Sequence, residues 1–177
     1  TCAVADALIA SAVHGDTSEN TLRVDLVQFQ RKVGGALRDW GCAFPKAGYG
    51  GRFMRWMLSD TDAPTGSLGN GSAMRASGCA WAAQSLSEAL ELAALSALPT
   101  HNHPEGVAGA QAAVWLIYRL REGADPEKLR REWNGLWGQP LGELPQLTAL
   151  EAARPIRTDL RCSATLPVAA ALVLGSS

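Results

Sequence analysis

Residues 85–99, SLSEALELAALSALP, followed by residues 100–123, THNHPEGVAGAQAAVWLIYRLREG, decide the fold. Ser85-Leu86-Ser87-Glu88 is a capping box: the Ser85 hydroxyl accepts a free N–H at the third helical residue, and Glu88 reaches back. The helix it opens carries Leu86, Leu90, Ala93, Ala94 and Ala97 on one stripe, and Pro99 stops it. Pro104 suits the first turn of a second helix, where its missing N–H costs nothing. Val107, Ala110, Val114, Ile117 and Leu120 then recur at helical intervals up to a stop at Gly123. Two long helices in succession, with no strand between them, set the expectation for the whole chain.

The same periodicity extends outward in both directions. Downstream, Asp125-Pro126-Glu127 caps and starts a shorter helix, with Trp133 and Trp137 flanking and pinning a turn at Asn134-Gly135. Gly138 to Pro155 holds three prolines and reads as loop; Ser163 to Leu174 is again helical and apolar on all sides. Upstream, a helix of small residues runs from Ala73 toward Trp81, and Phe53, Trp56 and Met57 mark a short one. Leu22, Leu26, Phe29, Val33 and Leu37 give a longer helix, capped by Ser18 and weakened by Gly34-Gly35. Val4, Leu8, Ile9 and Val13 give the first, ended by Gly15-Asp16-Thr17-Ser18. No window alternates as a strand would. The expected fold is all-α, a compact multi-helix orthogonal bundle in one domain over residues 1–177, with Ala- and Gly-rich helices in close approach. Trp56, Trp81 and Trp115 are expected in its core or at its rim.

Composition agrees. Of 177 residues, 47% are apolar and 19% charged, which excludes a disordered chain. A chain of this length buries roughly 70% of its unfolded surface. The net charge of −1, with no basic stretch, gives nucleic-acid binding no electrostatic support. Cys2, Cys42, Cys79 and Cys162 stand far apart and read as buried free thiols in a reducing compartment, the cytoplasm. No apolar run approaches the roughly 20 residues that span a bilayer, and no signal peptide is visible. Both termini fall inside apolar segments, which suggests that both are cut from a longer chain.

Three loops could carry chemistry. Gly48-Tyr49-Gly50-Gly51-Arg52-Phe53 sets three glycines before a helix, where backbone can approach a ligand and free N–H groups can hold an anion; a plain flexible loop has the same composition. In Gly69-Asn70-Gly71-Ser72-Ala73-Met74-Arg75, Asn70 or Ser72 can cap the helix while the remaining N–H groups form a nest; an ordinary cap with Arg75 at the surface is the plainer alternative. Thr100-His101-Asn102-His103-Pro104-Glu105-Gly106 offers three readings. His101, His103 and Glu105 could bind zinc, His101 could donate to a sugar hydroxyl or stack on a base, or the residues could serve only as local caps. Asp60-Thr61-Asp62, beside Pro64 and Gly66, reads as turn chemistry rather than a metal motif.

Taken in order and spacing, the second and third loops, extended through Val107-Ala108-Gly109-Ala110, and Tyr49-Gly50-Gly51-Arg52-Phe53 resemble the ADP-ribosylglycohydrolase family. Ala3-Val4-Ala5-Asp6-Ala7-Leu8 and the segment from Cys162 to Ala169 add to the resemblance, which covers essentially the whole chain. It implies an all-α fold with a dinuclear Mg or Mn centre in a cleft. It also implies hydrolysis at the anomeric carbon of ADP-ribose on a small molecule or a modified protein. Gly50, Gly51, Asn70, Gly71, Ser72 and His101 would line the ADP-ribose cleft. The family's metal carboxylates come from an Asp-Asp-Thr-type motif just before Thr1 and an Asp-x-Asp-Thr-type motif beyond Leu174. Neither occurs at the matching place here, so no catalytic residue and no metal ligand is assigned. The expectation is an enzyme in its longer parent, inactive over these residues alone; the alternative is a non-catalytic ADP-ribose-binding or structural relative.

Overall fold

A computed structural model describes residues 1–14, 22–137 and 159–175. The chain runs α1 (Cys2–Ala10), β1 (Ala12–His14), β2 (Leu22–Val24), α2 (Leu26–Ala43), α3 (Gly51–Met57), α4 (Gly71–Arg75) and α5 (Ser77–Ala82). It continues through α6 (Leu86–Ala97), α7 (Pro104–Arg121), α8 (Pro126–Trp137) and α9 (Cys162–Gly175). The fold is all-α, as the periodicity predicts, apart from one small antiparallel ribbon.

That ribbon corrects the reading of the first two helices. Val13 pairs with Arg23 and His14 with Leu22, so α1 ends before Val13 and α2 begins only after Val24. Asp25 caps α2, its Oδ1 accepting from the Val27 and Gln28 amides at 3.0 Å. The expected cap at Ser18, the Gly15–Ser18 stop and the Gly138–Pro155 loop lie outside the described residues. Within α2, Phe29, Val33, Leu37 and Gly41 form the buried stripe, and Gly34-Gly35 is carried inside the helix.

The capping box at Ser85 forms as expected: Ser85 Oγ accepts from the Glu88 amide at 3.2 Å, and Glu88 accepts from the Gln84 amide at 2.8 Å. The buried stripe of α6 is turned from the expected one. Ala89, Leu92, Ala93, Ser96 and Ala97 are buried, while Leu86 and Leu90 are only half-covered. A face of small side chains lets α6 and α7 approach closely, and the larger leucines fill the space beside the contact.

Helix α7 has two buried faces. Ala110, Val114 and Tyr118 join a core built with α1, α2, α3, α5 and α6. Ala112, Trp115 and Leu116 join a second cluster with Leu129, Trp133, Ala170, Ala171 and Leu174 from α8 and α9. Asn134-Gly135 is no turn; it lies inside α8. Trp133, 1% exposed, packs edge-on to Trp115 and beside Trp137. Burial of that aromatic face outweighs the roughly 1 kcal/mol cost of one helical glycine. Helix α9 is not buried all round: Val173 is exposed, and only the side facing α7 and α8 is covered.

Three further expectations change. Trp56 and Trp115 are buried, but Trp81 is exposed and lies under the Arg121 guanidinium. Cys79 and Cys162 are buried, whereas Cys2 and Cys42 are exposed on the outer faces of α1 and α2. Arg75 is not at the surface but inside the protein. Among the described residues, no helix is long and apolar enough to cross a membrane.

Candidate functional site

The loop between α6 and α7 is bound tightly to its neighbours. The Thr100 and His101 amides both donate to the Ala97 carbonyl, at 3.1 and 2.8 Å, which turns the chain back on the end of α6. The segment leading to α4 then clips on. Thr65 Oγ1 donates to the Thr100 carbonyl at 2.7 Å, and the Ser67 amide adds a second bond to it. The Gly66 amide, at a positive φ of 62° that favours glycine, donates to Asn102 Oδ1 at 2.8 Å.

The start of α9 closes the other side. The Asn70 amide donates to the Leu160 carbonyl at 2.7 Å and the Cys162 amide to the Leu68 carbonyl at 3.1 Å. Gly106 and Gly109 on α7 permit this assembly. A Cβ on Gly106 would stand 2.5 Å from the Ser67 carbonyl oxygen, and one on Gly109 2.2 Å from Cys162 Sγ.

His101 lies at the meeting point of these segments, 7% exposed. Its Nδ1 is 2.6 Å from Thr100 Oγ1. Its Nε2 faces the α4 entrance, 3.2 Å from where a Gly71 Cβ would be and 3.9 Å from that of Gly69. Burial pulls the imidazole pKa down to about 4, and the positive charges of Arg75 and Arg52 push the same way. His101 is therefore neutral at ordinary pH.

The expected site residues divide. Gly71 faces His101 across the α4 entrance, where an added Cβ would stand 3.2 Å from Nε2. Asn70 lies beside them, but its side chain does not cap α4. Ser72 does not cap either: it is fully buried and its hydroxyl donates inward to the Gly106 carbonyl at 2.7 Å, so it braces the site rather than facing it. Gly50 and Gly51 are exposed at the start of α3. The next residue, Arg52, adds the weakest of the influences that lower the His101 pKa.

The residues of the zinc alternative go to separate partners. Thr100 takes His101, His103 Nδ1 caps α7 by accepting from the Glu105 amide at 3.1 Å, and the Glu105 carboxylate accepts from the Ser163 amide and hydroxyl. Those Ser163 bonds hold the Glu105 pKa below the usual carboxylate range. Among the described residues, no three His, Cys, Asp or Glu side chains are grouped as a metal site. Asp60-Thr61-Asp62 behaves as a turn, with the Ala63 amide donating to Thr61 Oγ1 and Arg38 bridging to Asp62.

Sequence reasoning missed Arg75. It donates from Nε and Nη2 to the Ser96 carbonyl, from Nη2 to Ala97, and from Nη2 to Thr100 Oγ1 at 2.8 Å. A usable signal exists: Ser72, Arg75, Ala76, Cys79 and Ala80 recur at helical intervals, and that stripe is the buried one. Two open cavities, of about 290 and 350 Å³, border α2, with Arg31 and Gly35 lining both and Leu98 and Pro99 lining the first.

Comparison with known proteins gives one match. The family model described as ADP-ribosylglycohydrolase matches residues 1–175. No curated protein and no solved structure matches the chain.

Proposed function

The chain belongs to the ADP-ribosylglycohydrolase family, and from that membership we propose that the surface around His101, Gly71 and the α3 start binds the ADP-ribose part of a substrate. The family membership implies cleavage of that substrate at its anomeric carbon. The observation that carries the proposal is His101 itself: a largely buried imidazole whose Nε2 has no hydrogen-bond partner among the described residues and faces the α4 entrance. A ring nitrogen left open at the mouth of a polar opening is free to bond a ligand oxygen. Gly71 and Gly69 keep side chains out of its path. Arg52 adds positive charge near the imidazole, which favours an anionic group such as a diphosphate. Gly50, Gly51 and Asn70 remain its proposed rim, with Ser72 as support from behind.

The family is generally metal-dependent, and Mg or Mn would polarise the leaving group and activate water in the parent. The described residues do not fit a dinuclear centre. Hard divalent cations need several carboxylate oxygens, and no such group is assembled here. No step through a metal is derived. Over these residues we propose binding without turnover. Spaced cysteines, two of them exposed as free thiols, suit a reducing cytoplasmic setting.

Titration calorimetry with ADP-ribose tests this reading. Binding is expected for the wild-type chain, with a large loss in His101→Ala and no requirement for Mg. Absence of binding and of thermal stabilisation at millimolar ADP-ribose would overturn it, as would turnover of an ADP-ribosylated peptide that survives a chelator.

A further inference from the structure

We propose that Arg75 and Thr100 are positioning residues that fix His101 in the tautomer carrying its proton on Nε2, so that it presents a hydrogen-bond donor to the α4 entrance. The argument is one of donor and acceptor counting. A guanidinium has only donors. Arg75 Nη2, 2.8 Å from Thr100 Oγ1, must donate to that hydroxyl, so the Thr100 oxygen is an acceptor on that side. The hydroxyl has one proton of its own to place. Thr100 is 1% exposed, so water does not take it. The neighbouring acceptor is His101 Nδ1 at 2.6 Å.

If Nδ1 carried the imidazole proton instead, Thr100 Oγ1 would accept twice and its own buried proton would have no acceptor. Leaving a buried donor unmade carries the full penalty of its desolvation. The satisfied arrangement runs Arg75 N–H to Thr100 O, then Thr100 O–H to His101 Nδ1. A neutral imidazole that accepts at Nδ1 carries its proton on Nε2. The ligand atom opposite Nε2 is then an acceptor: a ribose hydroxyl oxygen, a ring oxygen or a phosphate oxygen. An N–H donor of the ligand is disfavoured there.

The chain Arg75–Thr100–His101 also explains the buried guanidinium. Its Nε–H and the second Nη2 proton hold the Ser96 and Ala97 carbonyls at the end of α6, the negative pole of that helix. The charge is thereby fixed in place behind the imidazole. Identification of the ligand as ADP-ribose rests on the reading above; the tautomer does not.

Two-bond ¹H–¹⁵N correlation on uniformly ¹⁵N-labelled protein near neutral pH reads the tautomer directly, with the His101 signals identified by their loss in His101→Gln. Wild type should show a proton on Nε2 alone. Thr100→Ser should keep it, and Thr100→Val should give the Nδ1–H form or a mixture. A wild-type proton on Nδ1, or a Thr100→Val spectrum identical to wild type, would overturn the proposal. The wild-type spectrum decides even if Thr100→Val fails to fold. ADP-ribose is then titrated into the same three proteins. A roughly tenfold weaker Kd in Thr100→Val, the loss of about one net hydrogen bond, with recovery in Thr100→Ser, links the relay to binding. Equal affinities would remove that link. A correct tautomer in a protein that binds no ADP-ribose would sink the ligand assignment and leave the relay standing.

Discussion

His101 is held neutral by three causes acting together: burial first, then the Arg75 and Arg52 charges. In the unfolded chain it titrates near the ordinary value of about 6.5; in the folded protein it does so at about 4. As pH falls between these values the unfolded state takes up a proton that the folded state refuses. Stability is therefore complete above about pH 6.5 and declines toward pH 4. With allowance for solvent at Nε2, the loss from this group is about 2 kcal/mol by pH 4. His101→Gln cannot titrate. Urea unfolding at pH 7, 5.5 and 4.5 should show wild type losing stability relative to the variant as pH falls; parallel curves would refute the assignment. How much could be read in advance differs between the partners of this group. His101 stands out because an imidazole in a polar segment before a helix-starting proline invites a role. Arg75 does not, because an arginine near the end of a short helix is ordinarily solvated. Its burial depends on carbonyls that the α6 end brings in from more than 20 residues away.

At the scale of elements, the helices that announce themselves are those with chemical start and stop signals. Ser85, Glu88, Pro104 and Gly123 bound α6 and α7 as expected, Gly123 with a positive φ of 76°. The β1–β2 ribbon carries no such sign. Its three-residue strands are too short to show alternation, β1 is exposed throughout, and Val13 and Leu22 sit at spacings a helix would also use. The turned stripe of α6 was hidden for another reason: alanines outnumber leucines there, so hydrophobic pattern alone cannot say which face is inside. Close approach is what selects the alanine face, and the same logic separates two glycines. Gly109→Ala would put a methyl against Cys162 Sγ and Cβ, at 2.2 and 2.6 Å, where α9 is anchored by backbone bonds. Gly41→Ala meets Met57 Sδ at 2.3 Å, with Met57 Cγ and Phe53 Cε1 at 3.2 and 3.3 Å, and the unbranched Met57 side chain can repack more readily than an anchored helix start. Gly109→Ala should cost about 1–3 kcal/mol despite better helix propensity, and Gly41→Ala should cost less. Urea midpoints measure both, and equal losses would refute the distinction. Ser85→Ala, which removes the α6 cap, should cost about 1 kcal/mol in the same assay.

Across the whole molecule, α7 and α9 join the site to a cluster in which none of the expected ligand residues lies. Helix α9 begins with Cys162 bonded to Leu68 and Gly69 beside His101. It ends with Ala170, Ala171 and Leu174 packed around Trp133. A defect at Trp133 must then loosen the far end of the element that closes the site. Trp133→Ala removes a side chain 1% exposed and should cost about 3–5 kcal/mol. Trp133→Phe should cost much less, because the indole N–H has no partner to lose and most of the apolar contact survives. Trp81→Ala, at 66% exposure, should lie within about 0.5 kcal/mol of wild type. If the two clusters form one cooperative unit, Trp133→Ala lowers the midpoint seen by tryptophan fluorescence and by far-ultraviolet circular dichroism together. On the proposed function, it should also weaken the protection that added ADP-ribose confers on the Thr100–His101 region, read by amide hydrogen exchange. A Trp133→Ala protein in which α8 and α9 exchange freely while the Thr100–His101 amides keep full protection would show instead that the site holds itself together without α9.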